Sequence, residues 1–144
     1  MYAPKHFDIK ELVPPDIFQN RGEQSIQLID ERVLITLDKL RETFGSCTVN
    51  DWPFSTDCHY TQSGLRTPDS DVYSPTSQHT FGRAMDCKFK EYTGQEIRNH
   101  VIENRALFPY ITFIEDDVSW FHFDVRNCER ITLWSPNTKQ ITLV

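Results

Sequence analysis

At 144 residues, with 38% apolar and 12% aromatic side chains, the chain has the length and the material for one domain around one core, and a second domain is not expected. Its 15 basic side chains are outnumbered by 21 acidic ones, and a formal charge of −6 argues against a phosphate backbone as partner. No stretch reaches the roughly 18 apolar residues of a membrane span, and Met1 to His6 lacks the apolar segment of a secretory signal, so the expectation is a monomer, cytoplasmic as synthesised, with no membrane span and no nucleic-acid partner.

Phe7, Ile9, Leu12 and Val13 precede Pro14-Pro15 and predict an extended or short helical lead-in over the first 22 residues. From Glu23 to Phe44, apolar residues at 26, 29, 33, 37, 40 and 44 recur in steps of three and four before Gly45, which predicts an amphipathic helix. Thr48 to Asn50 and Cys58 to Thr61 read as short strands. The polar stretch Ser63 to Gln78, with Pro68 and Pro75, reads as a long loop of the kind that carries function, and Arg66 is its natural anion-binding residue.

Thr93-Gly94-Gln95-Glu96 has capping-box spacing and predicts a second helix that buries Ile97, Val101 and Ile102 before Pro109. Only strands are expected after it. Tyr110 to Ile114 pairs with Trp120 to Val125 around an acidic turn, and Ile131 to Trp134 pairs with Gln140 to Val144 around Pro136-Asn137. Cys47, Cys58, Cys87 and Cys128 have no C-x-x-C spacing and read as free thiols, with Cys87 turned into the core.

The chemistry concentrates in two places. Ser77-Gln78-His79 and Asp86 supply an imidazole and a carboxylate seven positions apart, and His122 sits on the strand Trp120 to Asp124. Two nitrogens and one oxygen form a set that suits zinc better than calcium or magnesium and leaves a coordination position open. The competing reading is two ordinary histidines and a surface aspartate. Glu115, Asp116 and Asp117 precede His122 and offer a carboxylate as proton acceptor, although such a cluster in a turn is often simply solvated. His59 and Asp124 are candidate hydrogen-bond partners for a metal-binding imidazole.

Ser63-Gly64-Leu65-Arg66, then Ser77-Gln78-His79 with Gly82, Ala84 and Asp86, then Trp120-Phe121-His122 resemble, in order, the motifs of the zinc D-Ala-D-Ala carboxypeptidase family. That family includes phage endolysin peptidases and shares its metal-site fold with hedgehog domains. The similarity spans Ser63 to Asp124, and the preceding helix with Asn50-Asp51-Trp52 resembles the small phage-borne branch. The resemblance implies zinc ligands His79, Asp86 and His122, and substrate-binding residues Arg66 and Ser77.

Better-known members carry Glu or Asp three residues before the last histidine, where this chain has Ser119; others place the acid at the end of the preceding strand, where Glu115 stands, with Asp116 next. The expected fold is α+β, with two helices on a small antiparallel sheet. The expected function is zinc-dependent cleavage of peptidoglycan stem-peptide bonds, at the cell wall or as part of a virion. Its alternatives are a catalytically inactive zinc-containing binding module for wall or virion and a phage structural protein that has lost the metal.

Overall fold

The computed structural model describes residues 1–144 as three α-helices, several 3-10 turns and one six-stranded sheet. The helices are α1 (Pro15–Arg21), α2 (Glu31–Phe44) and α3 (Gly94–Glu103). The strands are β1 (Cys47–Thr48), β2 (Ala84–Phe89), β3 (Phe113–Glu115), β4 (Phe121–Asp124), β5 (Thr132–Trp134) and β6 (Ile141–Leu143). No helix is long and apolar enough to cross a membrane. All four cysteines are free, and Cys87 is buried.

Helix α2 begins later than the apolar periodicity predicts. Residues Gly22–Leu28 form a 3-10 segment, Ile29 is extended, and the helix starts only after Asp30, whose carboxylate accepts the Arg32 amide as an N-cap. The same carboxylate takes two guanidinium hydrogen bonds from Arg32, so this start outcompetes one at Glu23. From there Val33, Leu34, Leu37, Leu40 and Phe44 bury one face of the helix. Helix α3 begins as its sequence predicts, with Thr93 and Glu96 exchanging the two capping-box hydrogen bonds.

The sheet order is β1-β2-β4-β3-β5-β6. Both predicted terminal pairings form, β3 with β4 and β5 with β6. The sheet is mixed rather than purely antiparallel, because β5 returns along the free edge of β3 and runs parallel to it. The predicted strand Cys58 to Thr61 does not form. The amides of His59 and Tyr60 donate to the Asp51 carboxylate, which diverts them from any ladder, and residues 49–77 remain a long irregular connection from β1 to β2.

Alternation along the central strands decides what each face does. Met85 and Cys87 on β2, Ile114 on β3, and Phe121 and Phe123 on β4 all turn into the core with α2 and α3. The intervening residues Asp86, Phe113, Glu115, His122 and Asp124 line a cavity on the other face. One strand set thus serves packing and chemistry with alternate side chains.

Candidate metal centre

Asp86 on β2 is the cross-strand neighbour of His122 on β4, so the antiparallel register alone brings carboxylate and imidazole together. His79 comes from the 3-10 turn Gln78–Phe81 immediately before β2. Ser77 caps that turn by accepting the His79 amide, and Gly82 closes it in the left-handed region at φ 65°. A Cβ at Gly82 would lie 1.8 Å from the Leu28 carbonyl oxygen, so only glycine lets the turn pack against the segment that enters α2.

The ligand atoms of His79, Asp86 and His122 all lie within 4.8 Å of one another. His79 Nε2 stands 3.3 Å from His122 Nδ1 and 3.4 Å from Asp86 Oδ1. A tetrahedral zinc with ligands at ~2.0–2.1 Å holds neighbouring ligand atoms roughly 3.3 Å apart, so two edges of this triangle have the length such an ion requires. The third edge, His122 Nδ1 to Asp86 Oδ1, is 2.7 Å, a hydrogen-bond length. A proton and a metal therefore compete for that nitrogen.

Each imidazole is oriented by its far nitrogen, as metal-binding histidines are. His79 Nδ1 donates to the Gly64 carbonyl at 2.7 Å. Gly64 is itself pressed against the chain at Leu12, where a Cβ would come within 2.2 Å of the Leu12 carbonyl oxygen. His122 Nε2 faces Asp124 Oδ2 at 3.6 Å, and Asp124 is fully buried and clasped by Arg126. A buried His79-Asp86-His122 group with both imidazoles braced in this way could hold a metal ion.

Burial disfavours the imidazolium of His122, yet the Asp124 carboxylate 3.6 Å from Nε2, the hydrogen bond to Asp86 and the charges of Asp86 and Glu115 outweigh that and push its pKa up to about 10. Burial likewise opposes ionisation of Asp86, but the His79 charge and the hydrogen bonds from both imidazoles hold its carboxyl well below the usual carboxylate range.

The group opens into a cavity of about 410 Å³. Arg66 and Ser77 both line it, and Arg66 Nη2 donates to Asp86 Oδ2 at 3.3 Å. The β3–β4 register, Phe113 with Asp124 and Ile114 with Phe123, continues to set Glu115 against His122. Glu115 therefore reaches the cavity on the metal-facing side.

Asp116 does not line the cavity. It turns towards the buried Arg98, whose Nε lies 3.4 Å away, while Arg98 also donates to the carbonyls of Glu115, Val118 and Trp120 and so fastens the turn. Asp117 bonds to the Ser135 hydroxyl, and Ser119 is exposed outside the cavity. His59 is exposed in the long connection, does not line the cavity and is not among the hydrogen-bond partners of either imidazole. Thr76, Gln78, Phe113, Arg126, Trp134 and Ile141 complete the wall, and the sequence reading does not place them there. Of these, Arg126 was the most accessible to sequence reasoning, since it follows Asp124 at the period-2 spacing of that strand.

Compared with family models, with curated proteins and with solved structures, the chain shows no match. What the site does therefore has to follow from its own atoms.

Proposed function

We propose that the protein is a zinc-dependent peptidoglycan peptidase, of DD-carboxypeptidase or endolysin endopeptidase type, built on a hedgehog-like metal-site fold. The observation that carries this reading is the His79-Asp86-His122 triangle, with edges of 3.3 and 3.4 Å and a carboxylate, Glu115, on the same cavity. Its donor set of two imidazoles and one carboxylate favours zinc over calcium or magnesium and leaves room for a further ligand. Zinc bound there supplies Lewis acidity, polarising a carbonyl and lowering the pKa of water towards ~7.

The chain's own residues account for the rest. Glu115 accepts the proton of the attacking water and returns it to the departing amine, for which its position opposite His122 suits it. Arg66 orients the stem peptide by binding a carboxylate or carbonyl oxygen, and the Ser77 hydroxyl lies on the same wall. Asp124 holds the His122 ring in place and keeps its Nδ1 directed at the centre. The site of action is the cell wall, reached by the free protein or as part of a virion.

The test is direct. Purified protein with zinc is incubated with peptidoglycan and new amino groups are measured; release is expected, with about one zinc per chain in the wild type and none in His122→Ala. Stoichiometric zinc in His122→Ala would remove that residue from the centre. A serine at position 119, where better-known members of the resembled family carry the acid, supports a second reading, a zinc-containing wall or virion binding module without catalysis. A zinc-loaded protein that sediments with cell walls and releases nothing would establish that alternative.

A further inference from the structure

The metal group sits in the middle of a row of charged side chains. Arg66 Nη2 donates to Asp86 Oδ2 at 3.3 Å, and Asp86 Oδ1 meets His122 Nδ1 at 2.7 Å. Beyond it His122 Nε2 faces Asp124 Oδ2 at 3.6 Å, and Arg126 Nε donates to Asp124 Oδ1 at 2.9 Å. An arginine thus closes each end of the row, and both line the same cavity.

Neither guanidinium is used up by the protein. Arg66 commits Nε to the Gln62 carbonyl and Nη2 to Asp86, and Arg126 commits Nε and Nη2 to Asp124. The Nη1 group of each keeps its hydrogen-bond donors for another acceptor. Arg126 is also stacked over the Phe113 ring, 3.5 Å from its centroid, so its fork is oriented before any ligand arrives. With a divalent ion in place, the charges of the ion, Arg66 and Arg126 exceed those of Asp86, Asp124 and Glu115, and the cavity favours an anion. Trp134 and Ile141 on the same wall offer apolar surface to the methylenes of an acidic side chain.

We infer that Arg126 determines specificity by binding a second carboxylate, so that the substrate is an anionic peptide with one carboxylate held by Arg66 and another held by Arg126, at the two ends of the row. This rests on the peptidase reading above for the statement that the ligand is a peptide. The row of contacts itself separates the two guanidinium groups, Arg66 meeting the ligand triangle at Asp86 and Arg126 meeting it through Asp124 and His122.

The experiment titrates zinc-loaded protein with acetylated peptides that carry a free C-terminal carboxylate. A single glutamate is moved along the peptide, and each peptide has a matched glutamine version. A hydrogen bond to a charged group contributes about 1.5–3 kcal/mol, so at one position the glutamate peptide should bind on the order of 10- to 100-fold more tightly. That preference should vanish in Arg126→Gln, while amidation of the C-terminus should weaken wild type and variant alike. Arg126→Lys keeps a cation beside Asp124 and should fold, bind zinc and show a reduced preference, which covers the case in which the glutamine variant does not fold.

No glutamate preference at any position in the wild type, or an undiminished preference in the variants, overturns the inference. Hydrolysis followed on the same peptides separates it from the reading beneath it. Preference without cleavage overturns the peptidase and leaves the role of Arg126 standing; cleavage without preference does the reverse.

Discussion

Three acidic residues stand close together in sequence before His122, and their surroundings give them three different tasks. Glu115 faces the cavity, Asp116 neutralises the buried Arg98, and Asp117 binds the Ser135 hydroxyl. Only the first lines the cavity of the His79-Asp86-His122 group, and the proposed peptidase reading therefore gives it the proton. Glu115→Gln keeps size and polarity but removes the basic oxygen, so hydrolysis is expected to fall by about 10² to 10⁴ with zinc content unchanged. Asp116→Asn should leave the rate within a few-fold and instead lower stability, since it strips the partner from a buried guanidinium. Rates of both variants on a wall peptide, each checked for full zinc, decide the matter: a dead Asp116→Asn beside an active Glu115→Gln would reverse the assignment.

At the scale of elements, the entry into α2 separates capping from charge. Asp30 caps the helix through the Arg32 amide and pairs with the Arg32 and Arg83 guanidinium groups at 2.7 and 3.6 Å. Asparagine retains the cap, so Asp30→Asn should lose only the ion pairs, roughly 0.5–1 kcal/mol for a site partly open to solvent. Asp30→Ala loses the cap as well and should cost about 1 kcal/mol more. Hydrogen bonds from Arg32, against the opposing effect of burial, hold the Asp30 carboxyl below its ordinary range. A depressed folded-state pKa contributes stability above the unfolded value, near 3.8, and loses it as pH falls through the folded value. The gap between wild type and Asp30→Asn in urea melts should therefore be full at pH 7 and close below pH ~4. A gap independent of pH would mean that the charge of Asp30 contributes nothing.

The same entry shows which elements could be read in advance. The faces of α2 and α3 and both terminal hairpins follow from apolar spacing and capping residues, which are local properties. The start of α2 was misplaced because Ile26 and Ile29 continue the apolar period, while the deciding contacts of Asp30 include one with Arg83, distant in sequence. The strand at Cys58 to Thr61 was misread for a similar reason, since the Asp51 carboxylate that intercepts its amides is a loop partner no periodicity reveals. In the site, His79, Asp86, His122, Arg66 and Glu115 were recognisable as residue types at strand and loop positions. Arg126 is legible only through its place two residues after Asp124, just past the end of β4, whereas Trp134 is not, because it enters the cavity through the return of β5 alongside β3, a pairing between segments that local pattern does not specify.

For the whole molecule, the centre joins the long connection between β1 and β2 to two paired strands of the sheet. His79 belongs to the end of the long irregular connection, Asp86 to β2 and His122 to β4, and the far nitrogen of His79 ties in Gly64. An ion that binds all three ligands binds the folded chain and not the unfolded one, so it stabilises the fold by RT ln(1 + [L]/Kd), about 2.7 kcal/mol at a hundredfold excess over Kd. For a domain of this size that corresponds to a rise of roughly 5–10 °C in Tm. The proton on His122, whose pKa is raised to about 10, must leave before the metal can bind Nδ1, so the rise should be larger at pH 8 than at pH 5 and should still be growing as pH climbs past 8 towards 10. His122→Ala should show no rise at either pH, and Glu115→Gln should show the full one, because Glu115 shares the cavity but not the ligand triangle. Scanning calorimetry of chelator-treated and zinc-loaded protein across that range reads all of these at once. Equal melting with and without zinc at every pH from 5 towards 10 would leave the His79-Asp86-His122 group as a buried hydrogen-bond network, and a pH-independent rise would locate the ion on ligands other than these imidazoles.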